Sequence, residues 1–206
     1  MIFSANMLKI YKLCPKKYKF CYEDRFTPPQ NAEKFERGKK IHALACYYLR
    51  GIDVEGFEKS LLPDEKILWE RLKNNSYFNL KTYATEFELN CKVGKHWIGG
   101  RLDAVVFDND ENYYILDYKT GSVPQNPEND PQTIVYMCAL AVHLEKKFKN
   151  LKFIYLDLKN NTEKIIDSSQ IQPEIIEQIL GQIALKKFPP ANDSKNCLNC
   201  EYKMFC

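Results

Sequence analysis

The sequence predicts an α/β protein in which helices flank a mixed central β-sheet. Two observations predict this class. The first is the order of the helical and strand periodicities: a helical region, three strands, a helix, two strands and a last helix. The second is the length of 206 residues, which is enough for one domain with a full core. The hydrophobic and charged fractions, 45% and 28%, are those of an ordinary globular protein.

The N-terminal third of the chain carries helix signals. Ser4 can cap a first helix, which ends where Pro15 follows Cys14. Pro28-Pro29 ends a second helical stretch, and Gly51 closes a third in which apolar residues recur at helical spacing. The predicted helical ranges in this region are 4–14, 15–24, 31–50 and 63–73.

Strands are predicted where bulky β-branched and aromatic residues follow one another between turn signals. The predicted strands are 83–93, 97–107, 113–119, 152–158 and 163–166. A proline-rich loop at 121–131 separates the third of these strands from a helix at 132–148, and a helix at 173–187 precedes Pro189-Pro190. This order favours a mixed sheet with helices on its faces.

Two neighbouring strands carry charged residues in apolar surroundings. Asp103 lies among the apolar residues of strand 97–107, and Asp117 and Lys119 share one face of strand 113–119. A short hairpin can bring Asp103 beside Asp117, and buried charges need partners. A divalent cation relieves the repulsion of two carboxylates, and oxygen ligands suit Mg²⁺ or Mn²⁺. The hairpin therefore predicts a metal site.

The net charge and the chain-wide hydrophobic pattern indicate the cellular compartment more than the binding partner. The net charge of +3 permits nucleic-acid binding without arguing for it. The chain start lacks the pattern of a signal peptide, and no segment approaches the roughly 18 apolar residues of a membrane span. We therefore expect a cytoplasmic protein with no membrane partner. Its eight cysteines are then not expected to form disulfides.

The C-terminus carries a metal-binding cysteine pattern. Cys197, Cys200 and Cys206 form a C-x2-C-x5-C array, which lacks a fourth ligand. Cys14 is the best candidate for that ligand, and Cys21 is the alternative. Four thiolates suit either a [4Fe–4S] cluster or a tetrahedral Zn²⁺ ion, so the residues alone leave both open.

Five sequence features together resemble the RecB-like branch of the PD-(D/E)XK nuclease superfamily, in its iron–sulfur subgroup. The likeness covers nearly the whole chain, and the features occur in the order expected for the family. They are a G-x-x-x-H motif at Gly38–His42, a G-x-x-D motif within Gly99–Asp103, a D-Y-K-T-G motif at Asp117–Gly121, a Q-x-x-x-Y motif at Gln132–Tyr136, and one early and three late cysteines.

The resemblance implies a restriction-endonuclease-like core and a metal-dependent DNA nuclease. In that case Asp103, Asp117, His42 and the backbone carbonyl of Tyr118 would hold Mn²⁺ or Mg²⁺. Lys119 would orient or activate the attacking water. The remaining implied roles belong to Gln132 and Tyr136, which would position Lys119 or the nucleic acid, and to the [4Fe–4S] ligands Cys14, Cys197, Cys200 and Cys206.

The resemblance also implies an organisation and a substrate. We expect a single nuclease domain over residues 1–206, with residues 1–30 and 188–206 forming a cluster-binding lobe. The expected activity is an exonuclease on DNA, with single-stranded ends as the substrate, in recombination, repair or CRISPR spacer acquisition. CRISPR-associated members more often carry Glu where this chain has Asp117, which favours the general exonuclease.

Partners and an alternative function follow from the same resemblance. A helicase or a CRISPR integrase is the expected kind of protein partner. The alternative is a DNA-binding or assembly module that has lost catalysis and keeps a structural four-cysteine metal site. Glu86 and Glu88 lie on the strand before Asp103, and one of them could reach the metal site through water.

Overall fold

A six-stranded mixed sheet forms the centre of the protein. The computed structural model describes residues 2–27, 33–190, 197–198 and 200–206, without the side chains of residues 33–37. The strands are β1 (Ile2–Ser4), β2 (Lys81–Val93), β3 (His96–Phe107), β4 (Asn112–Lys119), β5 (Asn150–Asp157) and β6 (Thr162–Asp167). The order β1-β3-β4-β5-β6, with β2 also paired to β3, makes β3 the strand with the most neighbours.

Part of one edge of β3 has no strand partner among the described residues. Strand β2 runs antiparallel to β3 along its whole length, whereas β4 pairs antiparallel only with residues 104–107 of β3. Strand β1 pairs parallel with residues 97–99. Strands β4 and β5 are parallel, and β6 is antiparallel to β5. Residues 100–103 of β3 therefore lie between the β1 pairing and the β4 pairing.

Helices cover both faces of the sheet. They are α1 (Ala5–Leu13), α2 (Pro15–Tyr18), which continues as a π-helical turn (Lys19–Glu23), α3 (Glu33–Leu49), α4 (Glu55–Lys59), α5 (Pro63–Lys73), α6 (Pro131–His143) and α7 (Glu174–Ala184). Side chains from α1, α6 and α7 share one buried cluster with one face of the sheet. Side chains from α3 and α5 share a second cluster with the other face. The predicted fold class, a mixed sheet flanked by helices, is confirmed.

Local chemistry explains why several helices begin where they do. The hydroxyl of Ser4 accepts a hydrogen bond of 3.1 Å from the backbone N–H of Met7, which is the predicted cap of the first helix. Asp130 caps α6 by accepting from the N–H of Gln132 at 2.8 Å, and Pro131 occupies the first helical position. Asp130 and Pro131 therefore determine where α6 begins.

Most predicted elements are present, with three differences. Strand β1 and the short helix α4 were not expected. Helix α6 ends at His143 instead of residue 148, because Glu145 and Lys146 have left-handed backbone angles (φ 52° and 57°) that no helix can continue. Pro28-Pro29 and the start of the helix predicted at 31–50 lie outside the described residues. None of the described helices has both the length and the apolar character to cross a bilayer.

Candidate active site and cysteine cavity

The gap between β3 and β4 brings Asp103 to the backbone of β4. The β3–β4 ladder ends at the pair Ala104 and Leu116. Beyond it, the Asp103 carboxylate takes the place of a strand partner, and its Oδ2 accepts from the backbone N–H of Tyr118 at 3.1 Å. The strands thus separate where a ligand can enter, and one carboxylate satisfies the backbone donor that the separation exposes.

His42 from α3 completes this arrangement. Its Nε2 lies 2.9 Å from the carbonyl oxygen of Tyr118, and its Nδ1 lies 3.3 Å from Oδ1 of Asp103. Burial opposes a charge on the ring, but the hydrogen bond and charge of Asp103 outweigh it, and the pKa of His42 is raised. The predicted ligands Asp103 and the Tyr118 carbonyl therefore both contact the predicted ligand His42.

Asp117, which is buried, and Lys119, which is partly exposed, form a second group on the other side of the β4 backbone. Lys119 Nζ lies 2.6 Å from Oδ2 of Asp117, and Gln132 Nε2 donates to Oδ1 of Asp117 at 2.6 Å. Burial raises the pKa of Asp117 to about 6, although Lys119 partly offsets it. Burial acts to lower the pKa of Lys119, but Asp117 outweighs it, and the net direction is upward. The pair is therefore ionised at neutral pH.

Gln132 and Tyr136 lie one turn apart on α6 and face the site together. Gln132 Oε1 also lies 3.5 Å from Lys119 Nζ, so the amide touches both members of the ion pair. Burial raises the pKa of the Tyr136 hydroxyl, which lies beside the Gln132 side chain and the backbone of Arg101. The phenol therefore remains protonated and ties α6 to the open edge of β3.

Glu86 is a site residue to which sequence reasoning gave no definite role. One ligand atom from each of Glu86, His42 and Asp103 lies within 4.8 Å of the others. Glu86 falls opposite Asp103 in the β2–β3 ladder, between the pairs Thr85–Ala104 and Phe87–Leu102. The signal that could have found it is the expected antiparallel pairing of these two strands, which puts opposed side chains on one face. Glu88 is not part of this group.

These donors fit a divalent cation. Two carboxylates, an imidazole and a backbone carbonyl are the mixed oxygen and nitrogen ligands that suit Mn²⁺, and the oxygens also suit Mg²⁺. The raised pKa of His42 shows that the pocket already stabilises positive charge at this point. The group opens into a cleft of about 650 Å³, which Lys39, Arg50 and Arg101 also line. Asp117 makes its contacts with Lys119 and Gln132 and is not in the group of three.

The four predicted cluster ligands line one small cavity. Cys14, at the start of α2, and Cys197, Cys200 and Cys206 border a space of about 60 Å³. Phe20 and Tyr202 are among the other residues that line it. Cys21 does not line it, and its thiol instead donates to the Tyr202 hydroxyl at 3.3 Å. The structure thus favours Cys14 over Cys21 as the fourth member.

Sulfur spacing distinguishes the two kinds of metal centre. A tetrahedral Zn²⁺ site with Zn–S bonds of about 2.3 Å holds its sulfurs about 3.8 Å apart. Among the described cysteines, no three sulfur atoms all lie within 4.8 Å of one another. In a [4Fe–4S] cluster each thiolate binds a different iron, so the sulfurs stand farther apart. The described sulfur atoms are therefore not grouped as closely as a bound zinc ion would hold them.

Contacts beside the cavity join the two ends of the chain. Lys17 forms an ion pair with Glu201 at 2.9 Å, and the rings of Phe20 and Tyr202 stack with centroids 5.8 Å apart. The backbone N–H of Lys16 donates to the carbonyl of Pro189 at 3.1 Å. The early cysteine is thus brought to the three late ones by contacts that need no metal.

Comparison with known proteins agrees with this geometry. A sequence model of the PD-(D/E)XK nuclease superfamily matches residues 63–206. A curated relative, the CRISPR-associated exonuclease Cas4 of Francisella tularensis subsp. novicida (strain U112), is 27% identical over 139 residues, which are 66% of this chain and 70% of the relative. The matched family segment includes Asp103, Asp117 and Lys119 but begins after His42 and Cys14.

Two solved structures share the fold. The protein SSO0001 aligns with a TM-score of 0.54 at 16% identity, covering 100% of this chain and 85% of that one. A protein of Eubacterium rectale to which an exonuclease function is ascribed aligns with a TM-score of 0.57 at 10% identity, covering 90% and 79%. At these identities the likeness establishes the architecture only.

Proposed function

The chain belongs to the PD-(D/E)XK nuclease superfamily, and from this premise we propose that it is a metal-dependent DNA exonuclease acting on single-stranded ends. The observation that carries the proposal is the contact of His42 with Asp103 and the Tyr118 carbonyl beside the ion pair of buried Asp117 and Lys119. A cation-binding group next to a partly buried ammonium can activate a water and stabilise the charge that develops in phosphodiester hydrolysis. The relative described as a Cas4 exonuclease supports the exonuclease form of the activity.

Each residue has a role that its contacts support. A divalent cation held by His42, Asp103 and the Tyr118 carbonyl would polarise the phosphate and lower the pKa of an attacking water. Lys119 carries its proton at neutral pH, so it can orient that water and stabilise the charge that develops on the phosphate oxygens. Asp117 holds the ammonium in place through its contact with Lys119.

Gln132 and Tyr136 are proposed as positioning residues. Gln132 contacts Asp117 and Lys119 at once, so it fixes the direction of the ammonium. Tyr136 lies beside the backbone of Arg101, which belongs to the open edge of β3. Both residues thereby help to hold α6 against β3 beside the cleft.

The experiment that tests this proposal is a time course on end-labelled single- and double-stranded DNA with Mn²⁺, Mg²⁺ or a chelator. The expected result is stepwise shortening from the ends, faster on single strands, which stops when the metal is removed. Lys119→Gln should abolish it, whereas Lys149→Gln, at the opposite end of β4 and β5, should not. A protein that binds DNA but never cuts it would instead support the inactive DNA-binding or assembly module.

The same proposal assigns a [4Fe–4S] cluster to Cys14, Cys197, Cys200 and Cys206. Their shared cavity supports it. Protein purified without oxygen should be brown and contain iron and sulfide in near-equal amounts. A colourless protein with one zinc per chain would contradict the cluster.

The biological setting is proposed as DNA-end processing in recombination, repair or CRISPR spacer acquisition. The partner would then be a helicase or a CRISPR integrase. Affinity purification of the tagged protein from its native cells, followed by identification of co-purifying chains, separates these settings. If neither kind of partner is recovered, the protein would act as a stand-alone exonuclease.

A further inference from the structure

Glu86 is held in an unusual conformation directly beside the proposed metal ligands. Its φ of 48° lies in the left-handed region, which residues other than glycine seldom adopt within a strand. The preceding peptide is fixed by Arg50, whose Nε donates to Thr85 Oγ1 at 2.8 Å and whose Nη2 donates to the Thr85 carbonyl at 3.4 Å. This backbone turns the Glu86 carboxylate toward His42 and Asp103.

The Glu86 carboxylate is also paired with an arginine. Nε of Arg101 lies 2.8 Å from Oε2 of Glu86. The Arg101 side chain is 62% exposed, whereas that of Glu86 is 25% exposed. Arg101 lines the same cleft as His42 and Asp103. One carboxylate therefore faces both a potential metal ion and a guanidinium that is open to the cleft.

We propose that Arg101 is a phosphate-binding residue that Glu86 neutralises until a divalent cation takes up the Glu86 carboxylate. Metal binding would then free the guanidinium for a phosphate of the substrate strand. The inference deepens the proposed nuclease function and rests on it for the identity of the substrate. It couples metal and DNA: each would bind more tightly when the other is present.

The chemistry of the two groups supports this exchange. A divalent cation competes effectively for a carboxylate that an imidazole and a second carboxylate already face. The ion pair that it replaces is open to solvent on its arginine side, and solvent-accessible pairs contribute little to stability. The planar fork of arginine matches the oxygens of a phosphate in two parallel hydrogen bonds. Little is therefore lost when Arg101 changes partner.

Arg101 differs in this respect from the other arginine of the cleft. Arg50 makes its hydrogen bonds to Thr85, which lies outside the metal group, so metal binding leaves those bonds in place. Among the residues that the structure describes, the ion pair between Arg101 and Glu86 is the only arginine contact with a side chain of the candidate metal group. The exchange is thus specific to Arg101.

The first test measures metal binding without DNA. Mn²⁺ is titrated into the protein and free Mn²⁺ is followed by electron paramagnetic resonance. Arg101→Gln removes the competitor, so Mn²⁺ affinity should rise, by up to about fivefold for an exposed pair. Glu86→Gln removes a ligand, so Mn²⁺ affinity should fall. Unchanged affinity in Arg101→Gln, or in Glu86→Gln, would overturn the exchange whether or not the protein is a nuclease.

The second test measures DNA binding in the Lys119→Gln background, which prevents cleavage. Fluorescence anisotropy of a labelled single-stranded oligonucleotide is recorded with and without Mn²⁺. The parent should gain affinity with Mn²⁺, Arg101→Gln should lose most of that gain, and Glu86→Gln should bind more tightly without metal. Lys149→Gln is the matched charge control and should keep the gain.

The outcomes separate this inference from the proposed function. If Arg101→Gln keeps the full metal-dependent gain, or if Glu86→Gln binds metal-free DNA no better than its parent, the exchange is wrong. If both variants behave as expected but the unmutated protein never cuts DNA with Mn²⁺, the exchange stands and the nuclease proposal fails.

Discussion

Gly100→Ala is expected to destabilise the protein through contact with the Tyr136 ring. A Cβ atom at residue 100 would lie 2.5 Å from Cε1 and 3.0 Å from the hydroxyl of Tyr136. The ring is only 9% exposed and stacks on Phe153 with centroids 6.4 Å apart, so it cannot swing into solvent. Overpacking of this kind costs about 1–3 kcal/mol. The lower chain entropy of alanine in the unfolded state offsets about 0.4–1 kcal/mol of this cost.

A double-mutant cycle measures this contact. Urea unfolding followed by circular dichroism gives the free energy of unfolding for Gly100→Ala, Tyr136→Leu and the double variant. Leucine lacks the two ring atoms closest to the new methyl group, so the cost of Gly100→Ala should nearly vanish in the Tyr136→Leu background. The expected coupling is about 1–2 kcal/mol, which urea unfolding resolves.

Gly99 supplies the matched control. A Cβ atom there would lie 2.5 Å from the Leu89 carbonyl oxygen and 2.8 Å from Asn90 Cβ, both on strand β2. Gly99→Ala should therefore be equally costly with or without the Tyr136 ring. If Gly100→Ala costs the same in both backgrounds, the ring is not what excludes a side chain at residue 100, and the reasoning is refuted.

Three further predictions concern the site and the cavity. Lys119→Gln should leave the unfolding midpoint within a few degrees of that of the parent. Single-turnover rates on labelled DNA should show that cleavage with Mn²⁺ falls by at least about a hundredfold. Cleavage at the parent rate would exclude a role of Lys119 in the chemistry. Burial raises the pKa of Asp117 from its ordinary 3.8 to about 6, so the fold favours the neutral carboxyl, and this contribution is present below about pH 4 and lost as pH rises through 6. Metal-free parent should therefore gain stability relative to Asp117→Asn on acidification from pH 7 to 4, by on the order of 3 kcal/mol, in unfolding curves at each pH; a constant difference would contradict the shift. Cys14→Ser should lower the iron content of protein purified without oxygen, whereas Cys21→Ser should not, and equal losses in the two variants would remove Cys14 from the proposed ligands.

Periodicity predicted the elements that carry the chemistry, because those elements are long and apolar. Strands β3 and β4 combine bulky residues with charges, so both the strands and the closeness of Asp103 to β4 could be expected from a short hairpin. Strand β1 has only three residues, Ile2–Ser4, which is too few to show a period of two. Its existence depends on pairing with residues 97–99 of β3, a contact that local sequence does not encode.

The missed parts of the site depend on contacts between distant segments. Glu86 reaches the metal group through a left-handed backbone angle that Arg50, in the turn after α3, supports, and neither is visible in the alternation of a strand. Gly100 is recognisable as a motif glycine, yet the reason that it must be glycine is a ring thirty-six positions later on α6. Sequence patterns thus supply the residue types, whereas packing supplies their partners.

The two halves of the site are supported from opposite faces of the sheet. His42 lies on α3 between Ile41 and Leu44, which are buried in the cluster shared with α5, so the position of the metal ligand depends on that core. Gln132, which holds Asp117 and Lys119, lies on α6 and depends on the cluster shared with α1 and α7. Metal affinity and the placement of the ammonium can therefore be altered separately by changes in two cores.

The two halves of the site meet at the Tyr118 peptide. Its carbonyl faces His42 and its N–H donates to Asp103, while its neighbours Asp117 and Lys119 face α6. A shift of β4 at this peptide would disturb both halves at once, which explains why the sheet, and not a mobile loop, carries the reacting groups.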